Sequence, residues 1–203
     1  MSQEYSAGFI SGSEHLYRYE IKQVLSLMEE GLSREQIREK VLKENRFHQK
    51  NYTTNVRLFN KVWRRISYLD EGLADFVRKG TGRDVDVVLL YTYLKAYRFL
   101  REFAYEVLLY QYEQGRTLLT PAEVVEFFER VEEQSPKVRR YTPDTKKKMQ
   151  QVMLKAFVDA EWLYPLKGGW EIRPLPISQK LKEYIAQHPE HQMIADLALN
   201  GKW

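Results

Sequence analysis

Few side chains in this sequence could carry out chemistry, and they are not grouped for it. The imidazoles are His15, His48, His188 and His191. His188-Pro189-Glu190-His191 sets two of them three positions apart, a spacing compatible with metal ligation. Pro189 interrupts a helical presentation there, and no third ligand stands nearby in the sequence, so no metal site is expected. Gly80-Thr81-Gly82 and Gly168-Gly169 could approach a phosphate. Neither follows a core strand with a Gly-Lys-Ser/Thr or dinucleotide fingerprint. Glu102 with Glu106, and Glu126 with Glu129, read as acids on helix surfaces. With no cysteine in the chain, thiolate nucleophiles, zinc thiolate sites and disulfides drop out. The expectation is therefore a protein that is not an enzyme, holds no cofactor and has no evident small-molecule substrate.

The chemistry that remains is cationic. Residues 34–65 carry ten Lys/Arg against three Glu, and residues 137–155 seven against one Asp. Since the net charge is only +4, blocks of +7 and +6 leave −9 on the rest of the chain. Such asymmetry points to a polyanion partner, most often nucleic acid. In the first block Arg57, Lys61, Arg64 and Arg65 are spaced by four, three and one, and share a helix face. Thr53, Thr54 and Asn55 stand at the start of that helix, where short polar groups and free backbone N–H groups can hold a phosphate. In the second block Lys137, Arg139 and Arg140 lie on a linker, and Lys146, Lys147 and Lys148 on the early turns of a helix. Lys167 lies at a hairpin tip beyond it. Asn55, Arg57 and Gln150 are the candidates for base contacts; lysine and arginine otherwise dominate, so weak sequence preference is expected.

The elements that must position these groups are helical. A polar arm over residues 1–13 leads to a helix opened by Ser13-Glu14 and closed at Gly31. Ser33 and Gln36 form a capping box for a second helix ending near Glu44-Asn45. A turn over Arg46–Asn51 then leads to a third helix, from about Thr53 to Leu69, with Val56, Phe59, Val62, Trp63 and Ile66 inward. Gly72 closes this region and Asp75–Lys79 forms a short helical piece. From Asp84 to Gln114 apolar residues recur at helical spacing with no Pro or Gly, which predicts one long central helix. Its apolar run Val87–Leu94 is far short of the ~20 residues a membrane span needs. Thr120-Pro121-Ala122-Glu123 opens another helix, and Thr142-Pro143 opens the basic one, with Met149, Val152, Met153, Ala156 and Phe157 inward. Residues 162–173 read as a hairpin turning at Gly168-Gly169. Ser178 caps a last long helix, to about Gln187, and residues 189–203 form a short helix and tail.

The expected fold is mainly α: two helix-turn-helix-like modules around a long central helix, the second with a β-hairpin wing. The expected divisions are an arm and first module (1–72), a central helical core (73–118) and a winged-helix-like module (119–203). No basic start precedes an apolar run, so neither a signal peptide nor a membrane association is expected, and the cytoplasm is the expected compartment.

The arm Tyr5-Ser6-Ala7-Gly8-Phe9-Ile10-Ser11-Gly12-Ser13, with Glu44-Asn45, Thr53-Thr54, Thr142 to Lys147 and Glu161-Trp162-Leu163, resembles the BrxA family of bacteriophage exclusion (BREX) defence systems. The resemblance spans essentially all 203 residues and rests on helix starts and element order rather than on a catalytic signature. It implies a mostly helical DNA-binding accessory protein without known catalysis, acting beside a methyltransferase and ATPases of the defence island. Double-stranded DNA is the expected partner, with other BREX proteins as further partners. Two alternatives stay open. One is a scaffold whose basic blocks meet acidic partner surfaces. The other is an RNA binder that would stack bases on Tyr52, Tyr141 or Trp170.

Overall fold

The computed structural model of the chain describes residues 5–10, 16–80 and 82–198. A turn of 3-10 helix, Gly8–Ile10, is followed by α1 (Arg18–Glu29), α2 (Arg34–Lys43), α3 (Tyr52–Ile66), α4 (Glu71–Lys79) and α5 (Arg83–Ala96). Next come α6 (Arg98–Phe103), a π-helical stretch over Ala104–Leu109 and α7 (Tyr110–Glu113). The short strand β1 (Leu118–Leu119) precedes α8 (Pro121–Gln134), α9 (Pro136–Arg139) and α10 (Pro143–Asp159). Strands β2 (Leu163–Leu166) and β3 (Gly169–Ile172) follow, then α11 (Gln179–Gln187), a 3-10 turn at Pro189–His191 and α12 (Gln192–Leu197). The fold is mainly α, as the periodicity predicts, and among the described residues no helix is long and apolar enough to cross a membrane.

The caps read from the sequence close these helices. Ser33 and Gln36 bond reciprocally at the start of α2, as do Thr120 and Glu123 at the start of α8. Thr142 and Ser178 cap α10 and α11. Gly31, at φ +77°, ends α1. Two further helix ends turn on residues that are not glycine. Asn45 (φ 47°) and Glu161 (φ 60°) are left-handed, and the N–H after each reaches back to Val41 and Phe157 respectively, which satisfies the last carbonyls of α2 and α10.

Four expectations need correction. The opening pair Ser13-Glu14 lies outside the described residues, and α1 starts only at Arg18, because Tyr17 is left-handed (φ 54°) with its ring buried beneath the Arg65 guanidinium. Gly72 does not close α3. It sits in the first turn of α4, which Asp70 caps by accepting from the Leu73 N–H at 2.8 Å. The long central helix breaks at Tyr97, which is extended at φ −133°, ψ 107°. No glycine or proline causes this. Phe9 and Tyr93 hold the Tyr97 ring edge-on, with centroids 5.8 and 5.4 Å away, and Arg64 donates to the Ala96 carbonyl at the break. The presumed linker at Lys137–Arg140 is largely the helix α9, capped by Ser135.

The hairpin forms where expected and gains a third strand. The antiparallel order is β1-β3-β2, with Leu118 opposite Glu171 and Tyr164 opposite the same Glu171. Gly168 takes φ +93° at the tip, and Gly169 is held to glycine because a Cβ would fall 2.2 Å from the Leu119 carbonyl oxygen.

One continuous apolar core runs from Tyr5 to Ala198. Phe99 and Phe103 of α6 pack edge-on against Phe127 and Phe128 of α8, with the closest pair of centroids 4.8 Å apart. Phe157 of α10 bridges Phe103 and Trp162. Most aromatics of the central segment are therefore core: Tyr91, Tyr93, Tyr97, Phe99 and Phe103 are buried, whereas Tyr110 is 52% exposed.

Candidate nucleic-acid interface

Where each cation points follows from helix geometry at about 100° per residue. The buried positions of α3 are Asn55, Phe59, Val62, Arg65 and Ile66. Arg57 and Arg64 lie opposite the centre of this set, Lys61 lies to one side, and Arg65 sits about 90° from it, at the edge of the core. That edge position decides the fate of Arg65. It is 1% exposed, donates to the Leu89 carbonyl at 2.7 Å and to Thr92 Oγ1 at 3.1 Å, and lies over the rings of Tyr17 and Tyr93. The expectation that Arg65 faces a ligand is wrong; it pins α3 to α5. Arg64 is exposed overall, but its guanidinium is committed to the Ala96 carbonyl and the Tyr97 ring.

Asn55 is likewise no base reader. It is 2% exposed and donates to Asn45 Oδ1 at 3.1 Å. Asn45 in turn bonds both the N–H and the carbonyl of Gln49, so these two asparagines set the α2–α3 turn. Thr53 and Thr54 are exposed at the start of α3, yet their N–H groups already bond Asn51 Oδ1, at 2.8 and 3.2 Å. The cap occupies the donors that a phosphate would need; only the two hydroxyls remain available there. Arg57 is exposed and makes no hydrogen bond or ion pair among the described residues, as is also true of Lys43 and Lys50 around the turn before it. Lys61 is half-buried and engaged.

The second block divides in the same way. The inward side of α10 is Met149, Val152, Met153, Ala156 and Phe157. Lys146 flanks that side, is half-buried and pairs with Glu132 of α8 at 2.7 Å. Lys147 points away from the core, while Lys148, Gln151 and Lys155 continue the outward stripe. Lys155 pairs with Asp159 at 2.9 Å, whereas Lys147 and Lys148 make no such contact among the described residues. Arg139 donates to the carbonyls of Glu132 and Glu133, closing the end of α8. Lys137 is exposed and engaged, and Arg140 is exposed and uncommitted. Lys167 is exposed at the hairpin tip, and nearby Arg173 lies 3.9 Å from the Tyr164 ring centroid while bonding Glu171 at 2.6 Å.

Of the fourteen residues singled out from the sequence, Arg57, Arg140, Lys147, Lys148 and Lys167 thus present exposed, unpaired cations. Lys43 and Lys50 join them; their sign was legible in the first block, but their outward aim depends on the α2–α3 turn. Of the stacking candidates, Tyr52 is 66% exposed, whereas Tyr141 and Trp170 are half-buried against the core. Tyr141 also accepts from the Ala7 N–H at 3.4 Å.

Away from these faces, the fold gathers Asp70, Glu190 and His191, three groups able to ligate a metal. Burial raises the Asp70 carboxyl, but the Leu73 N–H, His191 and Tyr184 together hold it below its ordinary value.

Comparison with known proteins agrees with the architecture. A family model described as BrxA matches residues 3–189. A curated relative, the BREX protein BrxA of Bacillus cereus (strain H3081.97), is 31% identical over 164 residues, which cover 80% of this chain and 82% of that protein. Among solved structures, an uncharacterized protein from Magnetospirillum magneticum superposes with a TM-score of 0.78 over 97% of this chain and 100% of its own, at 18% identity. That likeness is one of fold.

Proposed function

The chain belongs to the BrxA family, and from that premise we propose that it is a cytoplasmic, non-enzymatic double-stranded DNA-binding component of a BREX phage-defence system. The observation that carries this reading is the sorting of cations. Lys147 and Lys148 point outward from the long helix α10, Lys167 extends from the hairpin that follows, and Arg57 points outward from α3. None of the four has a partner among the described residues. Helix, short helix, basic helix and hairpin is the winged-helix layout, in which the basic helix enters a groove and the hairpin meets the backbone. Such groups neutralise phosphates and carry no base information, so binding has weak sequence preference.

A mobility shift on duplexes of unrelated sequence, repeated across a salt series, tests this. Comparable affinity on each duplex is expected, with a slope of log affinity against log salt of about 0.9 per phosphate contact. The double variant Lys147→Glu/Lys148→Glu should lower both affinity and slope while melting normally. Lys146 is left in place because of its pairing with Glu132. No shift at low salt would remove the DNA reading in favour of a scaffold for other BREX proteins. Preference for single-stranded RNA lost in Tyr52→Ala would support the stacking alternative.

A further inference from the structure

The group formed by Asp70, His191 and Glu190 takes no part in the DNA reading, and its members come from opposite ends of the sequence. Asp70 Oδ1 is occupied in capping α4, which leaves Oδ2 directed at His191 Nε2, 2.6 Å away. The imidazole is 5% exposed, and its other nitrogen lies 2.9 Å from the Tyr91 hydroxyl on α5. The Tyr184 phenol of α11 lies beside Asp70, and burial together with that carboxylate pushes it up. Its ring has room only because residue 72 is glycine, since a Cβ there would fall 2.3 Å from the phenol oxygen. Glu190, on the 3-10 turn beside His191, brings a carboxylate oxygen to within 4.8 Å of the ligand atoms of both Asp70 and His191. His188 stands next to Glu190, Nδ1 to Oε1 3.5 Å, with its ring centroid 6.2 Å from that of His191.

We propose that Asp70, Glu190 and His191 bind one divalent transition-metal ion, zinc being the best match, with His188 closing the shell. Two carboxylates and neutral imidazoles offset the charge of a dication. The nitrogen donors favour zinc over magnesium or calcium, which prefer all-oxygen shells. The outer shell is already built. Tyr91 holds the far nitrogen of His191, and the Leu73 N–H orients Asp70 beside the Tyr184 phenol, the kind of support that fixes ligand direction at metal sites. Zinc bonds of about 2.0–2.2 Å in a tetrahedral shell require neighbouring donors roughly 3.3 Å apart. The Asp70–His191 contact would therefore open slightly on binding, a change that the exposed Glu190 side can accommodate. The ion would fasten the start of α4 to the α11–α12 junction, 121 residues away in sequence. Pro189, which interrupts helical presentation, is part of the turn that brings Glu190 and His191 to one point.

The test uses the full chain, stripped with chelator and titrated with zinc, by calorimetry and by thermal melting. One equivalent is expected to bind. At a hundredfold excess over Kd the midpoint should rise by roughly 5–10 °C for a chain of this size. Cobalt in place of zinc should give the visible bands of a four-coordinate ion. Glu190→Gln, on the exposed side, should weaken zinc by at least about tenfold while the metal-free protein melts as the parent does, and His188→Ala, which also removes the ring stacked on Tyr184, should weaken zinc by as much when each is compared with its own metal-free form. His48→Ala should leave affinity unchanged. Absence of saturable binding at millimolar zinc would overturn the proposal. So would Glu190→Gln and His188→Ala proteins that bind as tightly as the parent, and the group would then be a hydrogen-bonded brace and nothing more.

Discussion

Arg57 and Arg65 stand two turns apart on α3, carry the same charge and do opposite work. Arg65 is enclosed by Tyr17, Tyr93, Thr92 and the Leu89 carbonyl, so its guanidinium is part of the α3–α5 contact. Replacing it with methionine removes the bonds to Thr92 Oγ1 and to the buried Leu89 carbonyl. Arg65→Met should therefore lower unfolding free energy by roughly 2–4 kcal/mol, read by urea denaturation. Arg57→Met should change stability by less than about 0.5 kcal/mol, because the side chain is exposed and unpaired. On duplex DNA the order reverses: Arg57→Met should weaken binding, whereas the folded fraction of Arg65→Met should bind as the parent does. Equal loss of affinity in both would mean that α3 acts through its fold and not through its outward charge. Counting charges in a sequence cannot separate these arginines; a shift of about 80–90° around the helix can.

At the scale of elements, the sharpest departures from regular periodicity are places where one element serves another. The break at Tyr97 lets α6 turn its phenylalanines toward α8, and the carbonyl it frees is taken by Arg64 from α3. Tyr184 reaches Asp70 across the first turn of α4 only because position 72 has no side chain. Gly72→Ala improves helix propensity by about 1 kcal/mol in isolation. Here it should nevertheless destabilise, by about 1–3 kcal/mol, because the added methyl drives the Tyr184 ring away. Chemical denaturation of Gly72→Ala in the parent and in a Tyr184→Ala background checks this. The alanine should be costly with the ring present and favourable without it, and the same sign in both would refute the contact.

Across the whole molecule, the amino-terminal arm reinforces the direct packing of α6 on α8 and α10 that joins the central segment to the α8–α10 unit. Phe9 is fully buried, between Tyr97 and Phe99. Tyr5 donates to Glu102 of α6 and lies 3.4 Å from Gln134 Oε1 at the end of α8. Burial, followed by the bond to Glu102, pushes the Tyr5 phenol up to about 12, so it remains a donor throughout the neutral range. Phe9→Ala should cost about 3–5 kcal/mol. Hydrogen exchange should quicken most in α6, α8 and α10 and least in α2, which the arm does not support. Uniform acceleration would show that the arm stabilises the chain without any regional role.

Much of this protein was determined by the sequence alone, through interactions that are local. Capping residues act within three or four positions, so the starts of α2, α8, α10 and α11 are legible, as are the apolar stripes of α3 and α10, the Gly168-Gly169 hairpin and the mainly α class. Net charge is additive along the chain, so the two basic blocks are legible too. Other features depend on groups far apart in sequence. The two-residue strand β1 exists because β3 pairs with it, and the kink at Tyr97 exists because the arm and Arg64 hold it. Arg65 and Asn55 look exposed in the sequence pattern and are buried because neighbouring elements offer them partners. Asp70 meets His191 across 121 residues. Periodicity specifies which face of a helix is apolar, but only tertiary packing specifies what covers its edges, and that is where a charged side chain becomes either a brace or a free contact.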